Sequence, residues 1–427
     1  MSAISKKMHY LCKMIEPKHI QIANYTYDLP HNRIAKYPKA NRDESKLLVY
    51  KKGSIFDSSF NNIQQFIPAD TIIVSNNSRV IPARILFKKE TGAVIEIFCL
   101  EPMQPSDYQS NFAQTQSCVW KCIVGNRRKW KEGCLVLTFD YELPLKADQK
   151  TCSIEFKAEI IKNTREDLWI AFSWNSTELC FSQIIECVGA LPIPPYLERG
   201  TETSDYTQYQ TIYSKIEGSV AAPTAGLHFT ENIITNLQKK GTQFLELTLH
   251  VGAGTFKPVK TKTIGDHEMH GEHFSITRST IEKLCSNSNI IAVGTTTART
   301  LESLYWIGVS LIQNKHTCID GMFYVEQWQP YNNETSISKN ESYGAIVDYL
   351  EKHEQNVIHC KTSIIIVPGY RFKVIHQLLT NFHQPHSTLI LLVAAFVGEQ
   401  WKNIYNHALE NEYRFLSYGD SSLLFGQ

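Results

Sequence analysis

Short apolar strands that each end in a turn of small or polar residues constrain the fold of this 427-residue chain more than any other feature. The clearest is FLELTLHVGAGTF (244–256), where the apolar positions Leu245, Leu247 and Leu249 alternate with more polar ones at strand period. The same plan recurs in DTIIVSNNSR (70–79), NIIAVGTTTARTLES (289–303) and SIIIVPGYRF (363–372).

Helical segments lie between these strands. Thr230 is suited to cap the helix ENIITNLQKKG, which Gly241 would end. The segment WKNIYNHALENEY places its apolar side chains on one helical face: Trp401, Ile404, Tyr405, Ala408 and Leu409. Strands that alternate with helices predict an α/β layered domain, whose ligands sit beyond the carboxyl ends of the strands.

Residues 81–190 have a different pattern. Five strand-like pieces follow one another with turns between them: AVIEIFCL, CVWKCIVG, CLVLTF, SIEFKAEII and LWIAFSW. This succession predicts a small antiparallel β-barrel or sandwich. We therefore predict an α/β domain made of residues 24–80 and 191–427, with a small antiparallel β-barrel domain of residues 81–190 inserted into it. Within the α/β domain, residues 307–361 are predicted to be a polar, irregular insertion apart from the helix-like YGAIVDYLEKHE.

The balance of charge limits the partners that the chain can have. Lys and Arg together number 43 and Asp and Glu 42, so contact with a nucleic acid needs a local basic patch. GNRRKWKEG (125–133) is one candidate, because cations around Trp130 suit phosphates and an unpaired base. A charged turn that joins two strands would have the same residues.

The apolar runs and the cysteines bear on location. The amino terminus has no apolar core of the signal-peptide kind, and the longest apolar run, 389–397, is far shorter than the ~20 residues of a membrane helix. Eleven cysteines are an odd number in a chain without a secretory signal, and no CxxC pair occurs. We therefore expect reduced thiols, no membrane contact and a cytoplasmic location, with Cys118 and Cys122 buried on one face of a strand.

A metal site is weakly supported. DHEMHGEHF (266–274) spaces His267, His270 and His273 by three, which would bring them near one face of a helix. Gly271 weakens a helix at that point, and no carboxylate or cysteine partner is evident. We predict no metal.

Two glycine-containing turns are candidates for ligand contact. HVGAGTFK offers Gly252 and Gly254, but it lacks the third glycine and the helix of a dinucleotide-binding loop. In VGTTTARTLES a strand reaches Gly294 and a helix follows, so the amides and hydroxyls there either bind an anion or simply cap the helix.

Further stretches add to these along the chain: YDLPHNRIAKYP, LLVY, NNSRVIPARI, LPIPPY, YQTIYSKIEGSVAAPTAGLHFT, LTLHVGAGTFKPV, HEMHGE, GTTTARTLES, PGYRFKV, LTNFHQPHSTLILLVAAFVG and YRFLSYGDSSLLF. Taken in this order, they resemble the S-adenosylmethionine:tRNA ribosyltransferase-isomerase family. The resemblance runs from about Tyr27 to Phe425 and is most specific at 220–229, 249–259 and 413–420.

The resemblance implies a reaction in queuosine biosynthesis. The ribosyl moiety of S-adenosylmethionine would be transferred and isomerised onto 7-aminomethyl-7-deazaguanine at the wobble position of a tRNA anticodon. Epoxyqueuosine tRNA would form, and adenine and methionine would leave. The implied partners are S-adenosylmethionine, as a co-substrate, and tRNA that carries the deazaguanine precursor; no cofactor is implied. The implied fold is an α/β domain with an inserted β-barrel, and we expect a monomer.

The chemistry of a sulfonium nucleoside indicates which groups to look for. A base must take a proton from the ribose 5′ carbon, and an acid must help adenine to depart. From the matching blocks we predict His228 or His250 as the base and Asp420 or Glu302 as the acid or adenine anchor. The predicted substrate-binding residues are the other polar residues and glycines of those blocks: Asn76, Arg79, Arg84, Thr224, Gly226, Gly252, Gly254, Thr295, Arg299, Tyr370, Arg371, Asn381, His383, Tyr413, Arg414 and Tyr418.

The resemblance gives the stretch AAPTAGLHFT (221–230) a predicted role in the wall of a nucleoside site. Its small residues Pro223, Ala225 and Gly226 would keep the backbone thin beside a bulky nucleoside, with Thr224 and His228 aimed at that ligand.

Departures from the family pattern keep rival functions open. Lys46 and His386 stand where the family has arginine and lysine, and residues 307–361 are longer than the family's link. A paralogue with a different acceptor is one alternative, and a non-catalytic tRNA-binding module is another. A methyltransferase would need an early glycine-rich loop after its first strand, which the sequence lacks.

Overall fold

The computed structural model of the chain describes residues 16–143, 150–164, 167–252, 254, 258–286, 289–332 and 335–426. The strands are β1 Lys46–Lys51, β2 Ser54–Ser59, β3 Ile72–Asn76, β4 Ser78–Val80, β5 Arg84–Lys88, β6 Val94–Gln104, β7 Ser117–Gly125, β8 Leu135–Leu143, β9 Lys150–Asn163, β10 Leu168–Trp174, β11 Gly189–Ala190, β12 Ile216–Ser219, β13 Gln243–Leu249, β14 Glu272–Thr277, β15 Ile290–Val293, β16 Cys318–Ile319, β17 Met322–Val325, β18 Val357–Thr362, β19 Gln377–Asn381 and β20 Ser421–Phe425.

The helices, numbered along the described residues, are α1 Tyr108–Phe112, α2 Phe181–Val188, α3 Asp205–Gln208, α4 Glu231–Lys239, α5 Arg278–Ser286, α6 Thr295–Ile312, α7 Gln329–Asn332, α8 Lys339–Lys352, α9 Thr388–Val397 and α10 Gln400–Glu410. In the part of the chain that the structure covers, no helix is both long enough and apolar enough to span a bilayer.

The larger sheet is mixed. Among the described residues it has eleven strands in the order β16-β17-β18-β14-β13-β3-β15-β19-β20-β1-β2. Its centre, β13-β3-β15-β19, is parallel, so these strands share one carboxyl edge. Alternate residues of β3 pack in opposite layers: Ile72 and Val74 join one hydrophobic cluster and Ile73 another. Both faces of the central strands are therefore covered, as the unbroken apolar runs of the sequence require.

The second sheet is antiparallel and curled. Its seven strands within the described residues follow the order β11-β5-β6-β7-β10-β9-β8. The interior is aromatic, with Trp120, Phe156, Phe172 and Phe181 all fully buried. The predicted fold class, an α/β layered fold combined with a small antiparallel barrel-like sheet, is confirmed.

The interpretation of residues 307–361 as irregular is wrong. The segment completes α6, adds β16 and β17 at one edge of the larger sheet, and continues through α8 into β18. Phe323, Tyr343, Ile346 and Leu350 are buried in the main hydrophobic cluster. Strand β17 is only four residues long and α8 carries many exposed polar residues, so the apolar pattern in the sequence was too short and too diluted to read.

Several local predictions can be compared with the structure. Thr230 Oγ1 accepts a hydrogen bond from the Ile233 amide and caps α4, and Gly241 follows with φ +93°, both as predicted. The helix predicted in WKNIYNHALENEY is α10, with Trp401 buried. The strand predicted at 363–372 is wrong, because β18 ends at Thr362. Beyond it the Ser363 and Ile365 amides donate to the Val325 and Gln327 carbonyls, but the segment forms no further strand.

The structure also bears on the predictions for the cysteines, the histidines of 266–274 and Trp130. Cys118 and Cys122 are buried as predicted. The histidines of 266–274 lie on an extended segment rather than a helix, and the described residues contain no group of His, Cys, Asp or Glu arranged to hold a metal ion. The idea that Trp130 stacks on an RNA base is wrong: its ring is fully buried and its Nε1 donates to the Gly133 carbonyl at 3.0 Å.

Candidate active site

An open cleft of about 680 Å³, solvent at its mouth included, lies where β13, β15 and β19 end. This is the carboxyl edge of the parallel strands, where α/β sheets bind their ligands. The cleft is lined by Tyr196, Ala221, Ala222, Pro223, Thr224, Ala225, Val251, Gly294, Thr295, Thr296, Thr380, Asn381, Phe382, His383, Gln384, Ser387, Leu389, Leu416 and Ser417. Four predicted site residues are on its wall: Thr224, Thr295, Asn381 and His383.

Some small residues of 221–230 line the cleft, and one packs against the protein interior. Pro223 and Ala225 line the cleft, in agreement with the idea of a thin backbone beside a ligand. Gly226 faces the other way, because a Cβ atom on it would lie 2.0 Å from the Tyr213 hydroxyl. The glycine is needed for close packing against Tyr213.

A chain of hydrogen bonds leads from the cleft into the protein. The Thr224 hydroxyl donates to Asn381 Oδ1 at 2.9 Å, and Asn381 Nδ2 lies 3.2 Å from His228 Nε2. On the far side of the ring, His228 Nδ1 lies 2.8 Å from the Ser45 hydroxyl. Since the amide donates to Nε2, the imidazole carries its hydrogen on Nδ1. His228 is thus one residue behind the cleft wall and fixes the orientation of Asn381.

Burial keeps the His228 ring neutral. Only 5% of the residue is exposed, and desolvation, aided by the nearby Arg414 and Arg42, lowers its pKa to about 4. A neutral imidazole retains a lone pair that can accept a proton, but a group with so low a pKa is a weak base at neutral pH.

The amino terminus of α6 lies at the cleft wall. Gly294 precedes the helix with φ +88°, a conformation that favours glycine, and Thr295 and Thr296 line the cleft in the first turn. The first amides of a helix have no acceptor within it and attract negative charge. This end of the cleft is suited to a carboxylate or a phosphate.

His383 is the one imidazole on the cleft wall within the described residues. Its Nε2 lies 3.0 Å from the Thr380 hydroxyl, and its backbone amide donates to the Tyr405 hydroxyl at 3.1 Å. Burial lowers the pKa of His383 to about 3, so this ring is also neutral.

Asp420 is buried and clamps two chain segments together. Its carboxylate accepts from the Lys46 amide at 3.0 Å and from the Arg414 amide at 2.8 Å, and the Arg414 guanidinium is 3.5 Å away. Its carbonyl accepts from Asn381 Nδ2 at 3.4 Å. The residue therefore holds the 413–420 loop against β1 and touches the hydrogen-bond chain through its backbone.

Glu302 is also fully buried, on α6. Its carboxylate accepts from the Tyr370 hydroxyl at 2.7 Å and from three successive backbone amides, those of Lys373, Val374 and Ile375. Burial raises its pKa in spite of these donors. The carboxylate fixes the 370–375 loop and does not line the cleft.

Arg299 reaches from α6 to the glycine turn. Its Nη1 donates to Glu272 Oε2 at 2.6 Å, and Glu272 Oε1 accepts from the Gly252 amide at 3.3 Å. Gly254 is packed against His270, whose ring atom would lie 1.7 Å from a Cβ at that position. Arg299 thus positions the turn that follows the cleft residue Val251; the rest of this turn lies outside the described residues.

His250 lies at the junction of the two sheets. Its ring stacks on Tyr108 of α1, with centroids 3.9 Å apart, and its amide donates to the His273 carbonyl. Beside it, His273 Nε2 lies 2.8 Å from Glu101 Oε1 of β6. Burial lowers the pKa of His250 to about 3. The structure does not bring its side chain into the cleft.

The remaining predicted residues do not line the cleft. Asn76 is buried and bonds the Leu249 backbone, Arg84 pairs with Glu96 in the curled sheet, and Arg79 and Arg371 are exposed. The hydroxyl of Tyr413 donates to Asp57 at 2.6 Å.

Tyr418 and Arg414 line a second, smaller cavity behind Ser417, a residue that borders both cavities. Lys39 and Arg42 line it as well and, with Arg414, make it basic, whereas the His228 ring that also lines it is neutral. The Arg42 guanidinium donates to the Thr207 and Gln210 carbonyls, each at 2.6 Å.

Sequence reasoning missed several residues here: Ser45, Lys39, Arg42, Ser417, Tyr196, Thr296, Gln384 and Glu272. Thr296, Gln384 and Glu272 stand within the motifs GTTTART, NFHQPHST and HEMHGE, so the sequence alone could have identified them as candidate site residues. Ser45, Lys39 and Arg42 follow the first motif in an irregular segment, where no periodicity marks them.

The fold and the cleft define an α/β protein with a polar cleft at the carboxyl edge of its sheet, the position at which such sheets bind ligands. Over residues 22–424 the sequence matches the family described as "Queuosine biosynthesis protein". The chain belongs to this family.

Relatives with full-length similarity carry the name S-adenosylmethionine:tRNA ribosyltransferase-isomerase. The protein of Vesicomyosocius okutanii is 32% identical, with 95% of this chain and 98% of the relative covered. That of Trichlorobacter lovleyi is 33% identical, with 94% and 99% covered, and that of Sulfurihydrogenibium sp. is 33% identical, with 95% and 100% covered.

A crystal structure of an S-adenosylmethionine tRNA ribosyltransferase from Thermotoga maritima is also similar to the chain. The identity is 27%, the coverage is 94% of this chain and 99% of that one, and the TM-score is 0.43.

Proposed function

We propose that this protein transfers and isomerises the ribosyl moiety of S-adenosylmethionine onto 7-aminomethyl-7-deazaguanine at the wobble position of tRNA, giving epoxyqueuosine and releasing adenine and methionine. The observation that carries this proposal is 32–33% identity to ribosyltransferase-isomerases over 94–95% of the chain. The polar cleft at the carboxyl edge supports it, because a nucleoside needs both apolar walls and a few fixed hydrogen-bond partners.

The cleft is the proposed site of S-adenosylmethionine. Tyr196 and Phe382 offer aromatic surface for a nucleoside, and Thr224 and Asn381 offer fixed oxygen and amide groups. The amino terminus of α6 at Thr295 is suited to the carboxylate of the methionyl group.

One of two imidazoles is proposed to take the proton from the 5′ carbon. His383 lines the cleft, and its Nε2 is shared with Thr380. His228 lies one residue behind, and Asn381 would have to move for it to reach the ribose. Both rings are neutral at pH 7 because burial lowers their pKa, which leaves a lone pair free to accept a proton once the neighbour releases it.

The other predicted groups are proposed to position the cleft. Asp420 supports Asn381 through its carbonyl, Glu302 fixes the 370–375 loop, and Arg299 fixes the glycine turn through Glu272. Each carboxylate is already fully engaged in hydrogen bonds, so a positioning role fits better than proton transfer to adenine. His250 is proposed to hold the two sheets together at Tyr108.

The test is incubation with S-adenosylmethionine and precursor-modified tRNA, followed by measurement of free adenine and of the modified nucleoside by mass spectrometry. Adenine release with epoxyqueuosine in the tRNA is expected. Methyl transfer without adenine would identify a methyltransferase, binding without product a tRNA-binding module, and turnover on another acceptor alone a paralogue.

We also propose a cytoplasmic location, where tRNA is modified and thiols stay reduced. The described cysteines are all free, which supports this proposal. The monomeric state stays a prediction, which light scattering in solution tests.

A further inference from the structure

Two neighbouring turns of the curled sheet form an exposed basic surface, here called the basic end. It consists of Lys88, the last residue of β5, and the cations of the β5–β6 and β7–β8 turns, which are Lys89, Arg127, Arg128, Lys129 and Lys131. The turns are in contact, since Asn126 Nδ2 donates to the Val94 carbonyl at 2.9 Å and Lys89 Nζ to the Lys129 carbonyl at 3.1 Å.

The basic end lies far from the junction of the two sheets. Strand β6 runs from Val94, beside the basic end, to Glu101, which contacts His273 and Lys361 of the larger sheet. Seven residue steps separate these points, about 23 Å along an extended strand. No residue of the basic end lines the cleft, so a molecule that fills the cleft and also touches the basic end must extend beyond the cleft.

The cations of the basic end are close together, and most of them are exposed to solvent. Lys88, Arg128, Lys129 and Lys131 are exposed, and none forms an ion pair with a described carboxylate. The two turns hold only Glu90 and Glu132 as acidic residues against the six cations, whereas the whole chain has a net charge of +1. A local excess of this kind attracts a polyanion.

The buried Trp130 decides which part of an RNA the basic end fits. Its indole is fully buried and the Arg127 guanidinium donates to its carbonyl, so the turn is rigid and offers no ring for stacking. Cations without an aromatic platform bind phosphates rather than unpaired bases.

We propose that the basic end binds the sugar-phosphate backbone of tRNA at a distance from the base that enters the cleft. This inference rests on the proposed function, because it takes tRNA as the substrate. Binding at the basic end adds affinity for the whole tRNA and leaves the chemistry in the cleft unchanged.

The test is a triple variant, Arg128→Ala, Lys129→Ala and Lys131→Ala, compared with a matched variant in which Lys239, Lys283 and Lys352, exposed lysines elsewhere, become Ala. The first variant is expected to raise the KM for tRNA about tenfold and leave kcat and the KM for S-adenosylmethionine unchanged. The slope of log affinity against log salt should fall by about 2 to 3, since each phosphate contact contributes about 0.9. The matched variant should behave as wild type.

Two further arms locate the contact. On a substrate cut to the anticodon loop and its closing pairs, wild type and triple variant should have the same KM; a tenfold difference there would contradict a contact distant from the modified base. Filter binding of unmodified tRNA needs no turnover, so it tests the basic end even if no adenine is released. Equal tRNA affinity and equal salt slopes for both variants would overturn the proposal.

Discussion

The cleft and the basic end hold their polar groups in opposite ways. At the cleft wall and directly behind it, Thr224, Asn381, His228 and Ser45 are joined in one chain of hydrogen bonds, and the imidazole of His228 is neutral. At the basic end the cations are exposed, and Arg128 has no described carboxylate as a partner.

This difference follows from what each region is proposed to recognise. A small nucleoside is oriented by groups already fixed in place, and fixing them before binding lowers the entropy that binding costs. A polyanion needs charge but little shape, and solvated lysines can follow a flexible backbone. The same chain thus combines a preorganised site with an adaptable surface.

The strongest way to break the comparison is to remove an imidazole from the cleft. His383→Gln and His228→Gln are each compared with His19→Gln, a change at an exposed histidine. Loss of the base should lower kcat about 10²- to 10⁴-fold, measured as adenine release. The acid limb of the pH–rate profile in wild type should lie well below the usual histidine pKa of about 6.5, because burial lowers the pKa of both rings. Full activity of both variants would remove both candidates.

Asn381→Ala should have the next largest effect. The substitution leaves Thr224 without its acceptor and His228 without its donor, so groups at the cleft lose their fixed geometry. A loss of about 10²-fold in kcat/KM is expected from such misplacement, with tRNA affinity unchanged. Asn403→Ala, an exposed asparagine of α10, is the control. If the affinity for tRNA fell by the same factor as kcat/KM, the cleft and the basic end would not act separately.

Acid should destabilise the cleft more than the basic end. Burial lowers the pKa of His228 to about 4, whereas the unfolded chain binds protons near pH 6.5. The stability contributed by the neutral ring is complete above pH 6.5 and is lost as the pH falls toward 4. In urea denaturation, wild type should lose about 2 kcal/mol more than His228→Gln between pH 7 and pH 5. Parallel pH profiles for the two proteins would contradict this prediction.

The smallest effect is expected from a single change at the basic end. Arg128→Ala should alter the free energy of unfolding by less than about 0.5 kcal/mol, because an exposed cation without a partner contributes little to folding. Trp130→Ala, at the buried ring beside it, should cost about 3–5 kcal/mol. If thermal or urea denaturation showed the same loss in the free energy of unfolding for Arg128→Ala as for Trp130→Ala, the cation would contribute to folding as much as the buried ring does.

Much of the fold was predictable from local patterns. The alternation in 244–251 gave β13, the cap at Thr230 gave α4, and the strand succession in 81–190 gave the curled sheet. Residues 307–361 were not predictable, because β16 and β17 are only two and four residues long and are stabilised by pairing, β16 with β17 and β17 with β18.

The candidate site was predictable in part. Thr295, Asn381 and His383 line the cleft, since they stand at or just after the ends of β15 and β19, which share a carboxyl edge. Thr224 lines it from the 224–228 turn. Motif residues such as Glu302, Asp420 and His250 have equally reactive side chains, but they hold loops and a sheet junction in place. Residue type alone does not tell a group that meets a ligand from one that meets a backbone amide.

By itself the sequence determined most of the elements and the family, because hydrophobic periodicity, helix caps and the order of the motifs are local features of the chain. Only the tertiary structure decided which polar residues face the cleft, that His228 is neutral behind Asn381, and that Trp130 is core while its basic neighbours are exposed. The physical reason is that burial and hydrogen-bond partners arise from residues far apart in the chain: Ser45, His228 and Asn381 become neighbours only when β1, the 224–228 turn and β19 meet at one edge of the sheet.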